Sequence, residues 1–522
     1  MSYKHSLFIT LLSVILVNSS AGAASKLSEA EVFNRCYLKL FKSIVPRTAS
    51  LGKSLADDVF AKKITASNAC MVLLEQAEFM DNGKLRSAKN TIYPKLSEQE
   101  DRRLISNLHN FHNTWFSKKA FVYGADARDS STYMMKDSDE ASLYFTRALF
   151  GNAVPISTVF TSTKTLRGLR EAPDKAATSR WKSKPMTIQN ENDFGTANGF
   201  LLAYGQGASL TTMAINDEDL VPFGKLFGVE ESKPLRVPIV LIPGQGNVSA
   251  TIAASIRNAI LEKSKDVDMF EHLGGGILGS QTFIMKNTNL SMAQIAPGAN
   301  NDKDDVVSRR ISSRVFEDLL CHQMPTLTED DVRGDVIANS SHGFRLNSSC
   351  MACHTSLDPM ANTMRNFAPY RTAANDIAGN TPEQLAMRAK GTPVLGITKL
   401  PVVEGSGHFA LQKPMGSLNY RDHTNKLFKI PVNNLNELGN ELSKSDDFYR
   451  CVAKRYYNFF TGYDVNLAER NVPEASNTKE AKFHRAKVYA IAANLKKSQN
   501  MTSMIKEIIS SEAFVYRQYS PP

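Results

Sequence analysis

The stretch SSCMACHTSLDPM, residues 348–360, places Cys350 and Cys353 two residues apart and follows the second directly with His354. Four chemistries compete for it: covalent haem attachment, half of a zinc site, a dithiol redox pair and a plain disulfide. Covalent c-type attachment needs two thiols for the haem vinyl groups and an imidazole for the iron. One helical turn carrying Cys-x-x-Cys-His supplies all three. In that reading Cys350 and Cys353 form the thioethers, His354 is the proximal iron ligand, and its second nitrogen is expected to donate to a backbone carbonyl. A structural zinc site wants four ligands; the chain has no second Cys-x-x-Cys, and Cys321-His322 is a poor substitute. A thioredoxin-like pair wants a strand before it and a long helix after it, whereas HGFRLNSS precedes this one and Pro359 soon follows. One covalent haem c is the expectation, and it makes the surrounding region a helical, cytochrome c-like one.

The sixth ligand must come from the opposite face of the haem. Met360 and Met364 are too close to His354 to reach round the ring edge. Met415, 61 residues beyond His354 in LQKPMGSLNY, has the chain length to return, with His408 and His423 flanking it as alternatives. A methionine there would raise the reduction potential, a histidine would lower it, and an open site would admit oxygen or peroxide.

The N-terminus bears on the compartment. Lys4 precedes an apolar run from Leu7 to Val17, and Ala21-Gly22-Ala23 follows as a small-residue cleavage site, the pattern of a secretory signal peptide over residues 1–23. The run is short for a membrane span and no later stretch approaches about 20 continuous apolar residues, so no transmembrane anchor is expected. Export agrees with haem c, which is attached outside the cytoplasm; the periplasm of a Gram-negative bacterium is the expected location. In an oxidising compartment the other four of the six cysteines tend to pair. Sequence allows three pairings of four, or four buried free thiols. The pairing adopted is Cys36–Cys70, closing a local helical unit, and Cys321–Cys451, tying the motif region to the C-terminal helices. The net charge of +10, from 62 basic and 52 acidic residues, is spread along the chain without the interleaved basic and aromatic pattern of a nucleic-acid surface. It suits docking to an acidic redox partner or an anionic membrane face.

At 522 residues the chain is too long for one small core. The expected fold is predominantly α and multi-domain. An N-terminal helical domain spans 24–149, with the Ser28/Glu31 capping box at its start. His109 and His112 share a helix face there, read as packing against Phe111 and Trp115 rather than as a metal site. Residues 150–265 form a mixed, loop- and strand-rich region containing GFLLAY and VPIVLIPGQG. Gly244-Gln245-Gly246 and the GGGILGS stretch at 274–280 lack the remaining features of nucleotide loops and are read as turns. The haem-attachment region spans 266–432, with Val307, Ile311, Val315 and Leu319 at four-residue spacing. A C-terminal helical region covers 433–522, where NNLNELGNELSKS and DDFYRCVAKRYYNFFTG are expected to pair antiparallel, the second capped by Ser445 and stopped at Gly462.

The ordered segments GGGILGSQTF, SSRVFEDLLCHQMP, CMACHTSLDPMANTMRNFAPYR and SDDFYRCVAKRYYNFFTGYD resemble the planctomycete-type cytochrome c-like proteins, large secreted bacterial chains. The resemblance covers about residues 270–465. By that match Cys321, Cys350, Cys353, His354, Asp358, Pro359, Asn366, Phe367 and Cys451 fall on family positions. Met360-Ala361-Asn362 and Arg365 depart from the family, which often has Gly-Phe after Asp-Pro and an acidic residue before Asn-Phe. The resemblance implies a cofactor and a compartment more than an activity. The expected function is one-electron transfer by an exported mono-haem protein. Two alternatives are a haem-dependent oxidoreductase of peroxidase or dehydrogenase type and an envelope interaction protein with a structural haem. The sequence does not decide whether the protein is an enzyme, nor its oligomeric state.

Overall fold

The computed structural model describes residues 25–77, 96–116, 132–133, 139–170, 226–231, 236–238, 266–268, 273–280, 283–284, 287, 303–372, 394–399, 402, 404–405, 409–468 and 477–517. The expected signal peptide, Gly244-Gln245-Gly246, GFLLAY and His408 lie outside these residues, and so does most of VPIVLIPGQG. The described chain is predominantly α, as its periodicity predicts.

Six helices form its first part: α1 (Glu29–Phe41), α2 (Leu51–Phe60), α3 (Ala66–Glu75), α4 (Glu98–Asn113), α5 (Glu140–Phe150) and the short α6 (Thr158–Thr161). The predicted capping box holds the start of α1: Ser28 accepts from the Glu31 amide while the Glu31 carboxylate reaches back to the Ser28 amide. Ser97 and Glu100 repeat the device at α4. The apolar stripe of α1, including Val32, Phe33, Cys36, Tyr37 and Leu40, is almost fully buried. Cys36 is bonded to Cys70 on α3. Asn107 of α4 donates to the Lys39 and Leu40 carbonyls, 2.8 Å each, supplying partners that the last turn of α1 lacks.

The motif region contains α7 (Lys303–Arg314), continued by a π-helical turn over Val315–Leu319, then α8 (Glu329–Val332) and α9 (Ser348–Asn362). Five helices close the chain: α10 (Leu435–Lys444), α11 (Asp446–Thr461), α12 (Lys479–Ser498), α13 (Met501–Ile509) and α14 (Glu512–Val515). Among the described residues the strands are short and make small sheets. A three-stranded sheet contains β1 (Thr132–Tyr133), β6 (Phe367–Thr372) and β7 (Val394–Lys399), in the order β1-β7-β6. Three pairs complete the set: β2 (Leu166–Arg170) with β3 (Leu226–Glu231), β4 (Arg236–Pro238) with β5 (Asp266–Asp268), and β8 (Gly416–Arg421) with β9 (Leu427–Val432). The last pair is antiparallel, with Leu418 opposite Ile430 and Tyr420 opposite Phe428.

The two ends of the chain share one core. The Leu27 amide donates to the Val515 carbonyl (2.8 Å), and Arg35 of α1 donates to the carbonyls of Phe514 and Thr461, both at 2.8 Å. Helix α13 packs on α3, where Ser67 and Ser510 are hydrogen-bonded. His109 and His112 lie on the inner face of α4 and are buried. His112 bonds Thr146 and the Tyr456 hydroxyl of α11, while His109 bonds Thr146 and Asp139. Burial, then the neighbouring His109, holds the His112 imidazole well below its ordinary protonation range. Both histidines therefore serve the core.

Two sequence expectations meet the structure here. GGGILGS forms a short 3-10 helix over Gly276–Gly279 rather than a simple turn, and its glycines are needed for close packing. Gly276 sits at φ +56°, where a Cβ would fall 2.3 Å from the Val159 carbonyl oxygen. A Cβ on Gly439 of α10 would fall 2.7 Å from the Phe160 carbonyl oxygen and 2.9 Å from Gly275 Cα. Three backbones thus converge where α10 crosses α6. The expected antiparallel pairing of α10 with α11 is not the main contact of either. Ser445 alone links them, caps the second as predicted, and is too short a connection for a full return. Helix α10 packs mainly on α6, and α11 on α12.

Candidate functional site

Helix α9 carries the Cys-x-x-Cys-His motif and is fastened at both ends. Met351 and Ala352 pack in a small cluster with Leu327 and Val332, while Met360 and Met364 enter the main core. Pro359 lies inside the helix and has no N–H to give the Thr355 carbonyl one turn back. The vacant carbonyl accepts instead from the Asn419 side chain of β8, at 3.2 Å. Strand β8 lies so close that a Cβ on Gly416 would fall 1.9 Å from the Pro359 carbonyl oxygen. Buried Ser356 bonds the Thr326 hydroxyl at 2.7 Å. These contacts let a proline-containing helix run through the motif.

Cys350 and Cys353 are the two unbonded cysteines, and both are partly exposed on α9. Burial, with a smaller contribution from Cys350, pushes the Cys353 thiol above its ordinary value. The other four cysteines are bonded, Cys36 to Cys70 and Cys321 to Cys451, the pairing adopted from the sequence.

His354 and Asp358 stand one helical turn apart, on one face. His354 Nδ1 lies 3.1 and 3.3 Å from the two Asp358 carboxylate oxygens. Asp358 also receives two bonds from Arg309 of α7, at 2.5 Å from Nε and 3.2 Å from the terminal nitrogen. A carboxylate paired with guanidinium only accepts, so Nδ1 of the imidazole carries a proton directed at Asp358. Phe344 stacks on the imidazole with ring centres 4.0 Å apart, and the Arg309 guanidinium lies 5.6 Å from the Phe344 centre. The expected backbone-carbonyl partner of Nδ1 is therefore replaced by a carboxylate, which fixes the orientation of the ring. Asp358 falls on a position of the resemblance that carries no such role; its spacing of four from His354 is the signal for it in the sequence.

The proposed distal ligands are dispersed. Met415 is 62% exposed, and its amide donates to the Asn362 carbonyl at the C-terminal end of α9. His423 is buried away from the motif, stacked on His322 with ring centres 3.9 Å apart. Asn366 and Phe367 are buried just after α9, Asn366 with φ +67°. Among the described residues no helix is long and apolar enough to cross a membrane.

Compared with known family models, curated proteins and solved structures, the chain matches none of them.

Proposed function

We propose that the chain is an exported mono-haem c-type protein that passes single electrons, with Cys350 and Cys353 as thioether donors and His354 as the proximal ligand. The observation that carries the reading is the unbonded thiol pair one turn apart on α9, followed by an imidazole whose Nδ1 is engaged by Asp358. This donor set fits haem c: two thiols beside one imidazole, with a carboxylate behind the imidazole and a guanidinium behind the carboxylate. When bound, haem would supply a one-electron iron couple.

The chain's own residues would set the conditions for that couple. Asp358 orients His354 and adds negative charge behind it, which favours the higher oxidation state. Arg309 offsets part of that charge and fixes the carboxylate. Phe344 covers the imidazole and limits its contact with water. Met415, its thioether exposed at the start of β8, is the proposed sixth ligand. The two disulfides suit an oxidising compartment, with the periplasm as the proposed location, and the basic net charge suits an acidic partner whose docking weakens with salt. The resemblance to the planctomycete-type cytochrome c-like proteins belongs to the same proposal.

The test is a pyridine haemochrome spectrum on protein exported from a host with cytochrome c maturation, after acid-acetone extraction. A c-type band that survives extraction, and is lost in Cys350→Ser/Cys353→Ser, is expected. A colourless chain from such a host, with stoichiometric zinc on the thiols, would overturn the proposal. Met415→Ala with an unchanged reduced spectrum would remove Met415 from it.

A further inference from the structure

A second constellation lies apart from the motif. His322 follows the π-helical turn, His423 sits in the turn between β8 and β9, and Asp447 lies in the first turn of α11. One donor atom from each lies within 4.8 Å of the other two. The three positions are far apart in sequence, and the fold brings them together by identifiable means. Cys321, next to His322, is bonded to Cys451, which stands one helical turn after Asp447 on the same face of α11. That disulfide sets His322 over Asp447, with His322 Nε2 and Asp447 Oδ2 2.6 Å apart. The His423 amide donates to the same carboxylate at 3.2 Å, and its ring lies nearly parallel to that of His322, at 7°.

The state of His423 points to a ligand. Its Nε2 lies 3.0 Å from the Leu320 carbonyl oxygen, which only accepts, so Nε2 carries the proton. Nδ1 then holds a lone pair. That atom is buried and has no hydrogen-bond partner, and the residue is 3% exposed. An unpaired acceptor in such a place costs roughly 1–3 kcal/mol. The ring forms part of the wall of a cleft of about 360 Å³, together with Cys321, His322, Arg421, Lys454 and Asp464.

We propose that His322, His423 and Asp447 hold a single divalent first-row cation of the zinc type, with the cleft providing access to its remaining coordination position. Two imidazoles and one carboxylate suit zinc, cobalt, nickel or copper, whereas magnesium and calcium want oxygen donors. Bonds of about 2.0–2.2 Å put tetrahedral donors about 3.4 Å apart, so on binding His322 Nε2 and Asp447 Oδ2, 2.6 Å apart, open by roughly 0.8 Å, and any donor pair near the 4.8 Å limit closes. The cation takes the place of the proton between His322 Nε2 and Asp447 Oδ2; His322 binds it as the neutral tautomer with its one proton on Nδ1, and any second ring proton leaves to solvent. Arg450 donates to the other oxygen, Oδ1, at 2.8 Å and orients the carboxylate, while Asp422 lies 3.4 Å from the same guanidinium and offsets its charge. The Leu320 carbonyl plays for His423 the part that outer partners play for metal-bound histidines generally. Cys321 is sealed in its disulfide, so no thiolate joins the set.

The test uses the full-length chain carrying Cys350→Ser/Cys353→Ser, which attaches no haem and removes the free thiols. Titration with Co2+ should give one equivalent bound, with visible ligand-field bands and no sulfur-to-cobalt charge-transfer band. Zinc should compete, magnesium and calcium should not, and zinc should raise the unfolding temperature. Adding His423→Gln should weaken binding at least about 100-fold and abolish the zinc-dependent thermal shift. Should His423→Gln fail to fold by far-UV circular dichroism, His322→Gln makes the same comparison at a side chain on the cleft wall. No cobalt binding up to millimolar concentration, or binding unchanged by a folded histidine variant, would overturn the site. Because the thiols are absent from this chain, neither outcome bears on the proposed haem.

Discussion

Gly276→Ala and Gly462→Ala give the reading of the glycine-rich stretch a quantitative test. Both glycines have left-handed backbone, φ +56° and +85°. A left-handed alanine costs roughly 1–2 kcal/mol in either place. They differ in surroundings. Gly462 caps α11, and a Cβ there meets nothing within 4 Å. At Gly276 the Cβ would fall 2.3 Å from the Val159 carbonyl oxygen and 2.7 Å from the Phe160 carbonyl carbon, both backbone atoms that no side-chain rotation can move away. Forced overpacking adds roughly 1–3 kcal/mol. Alanine also stiffens the unfolded chain, returning about 0.4–1 kcal/mol at both sites. The net expectation is a loss of roughly 0–1.6 kcal/mol for Gly462→Ala and about 1–5 kcal/mol for Gly276→Ala. The two losses should be read from urea-unfolding midpoints followed by circular dichroism on the same preparation. If Gly276→Ala cost no more than Gly462→Ala, residues 274–279 would not be a packing corner, and a ligand-binding role for these glycines would reopen.

Three further perturbations follow from the geometry. In haem-loaded protein, Asp358→Asn removes the charge behind His354 and should raise the midpoint potential by roughly 50 mV, about 1 kcal/mol less stabilisation of the oxidised state; a midpoint unchanged in redox titration would deny Asp358 that role. Cys321 and Cys451 are 130 residues apart and Cys36 and Cys70 are 34 apart, so chain entropy assigns the first link about 5 kcal/mol and the second about 4. Serine pairs at each link, compared by denaturant unfolding, should rank in that order, and the Cys321/Cys451 pair alone should also weaken cobalt binding. Buried His112 is held neutral in the folded chain, whereas an unfolded histidine takes a proton near pH 6.5. The unfolded state therefore binds the extra proton, and this group's contribution falls by up to about 1.4 kcal/mol per unit as pH drops below about 6.5. His112→Asn should be less stable at pH 8 and should show a shallower acid slope; parallel slopes in urea-unfolding series at pH 8, 7, 6 and 5 would contradict this.

What could be read from the sequence was local. Ser28 and Glu31 announce α1 because a capping box is complete within four residues, and Ser445 and Gly462 bracket α11 because a serine N-cap and a left-handed glycine C-cap each act within one turn of the helix end. Cys350, Cys353 and His354 are legible because their chemistry is packed into five residues. Apart from the Cys321–Cys451 link, where the oxidising compartment limits the choices, features that depend on distant segments are not visible in the sequence. Pro359 reads as a helix stop until Asn419, 64 residues past Thr355, supplies the missing donor. Asp358 has a readable spacing from His354, but its second partner, Arg309, lies 49 residues upstream. His322, His423 and Asp447 share no short motif at all. In the sequence His322 reads only as a weak zinc partner for the cysteines, and His423 only as an alternative distal haem ligand. The expected antiparallel pair failed because helical periodicity says nothing about which neighbour a helix will face.

Strand β8 explains how two candidate sites can sit in one region of the fold without sharing a residue. Its first residue, Gly416, lies against Pro359 of α9, and Asn419 replaces the donor that proline lacks. At its far end the Arg421 amide donates to the Thr326 carbonyl at 3.1 Å, and its guanidinium grips Asp331 at 2.6 and 2.7 Å. That grip holds the Asp331 carboxyl well below the usual carboxylate range. Two residues later His423 bonds the Leu320 carbonyl beside the disulfide. A six-residue strand thus runs from the Cys-x-x-Cys-His helix to the histidine cluster, with a named bond or close contact at each end and one in the middle. Movement of β8 would be felt at both places, because Gly416 has no free space toward α9 and His423 is buried against the chain at Leu320. The strand therefore ties the position of α9 to the loop bearing His322, and the Cys321–Cys451 link carries that constraint into α11 and the C-terminal core.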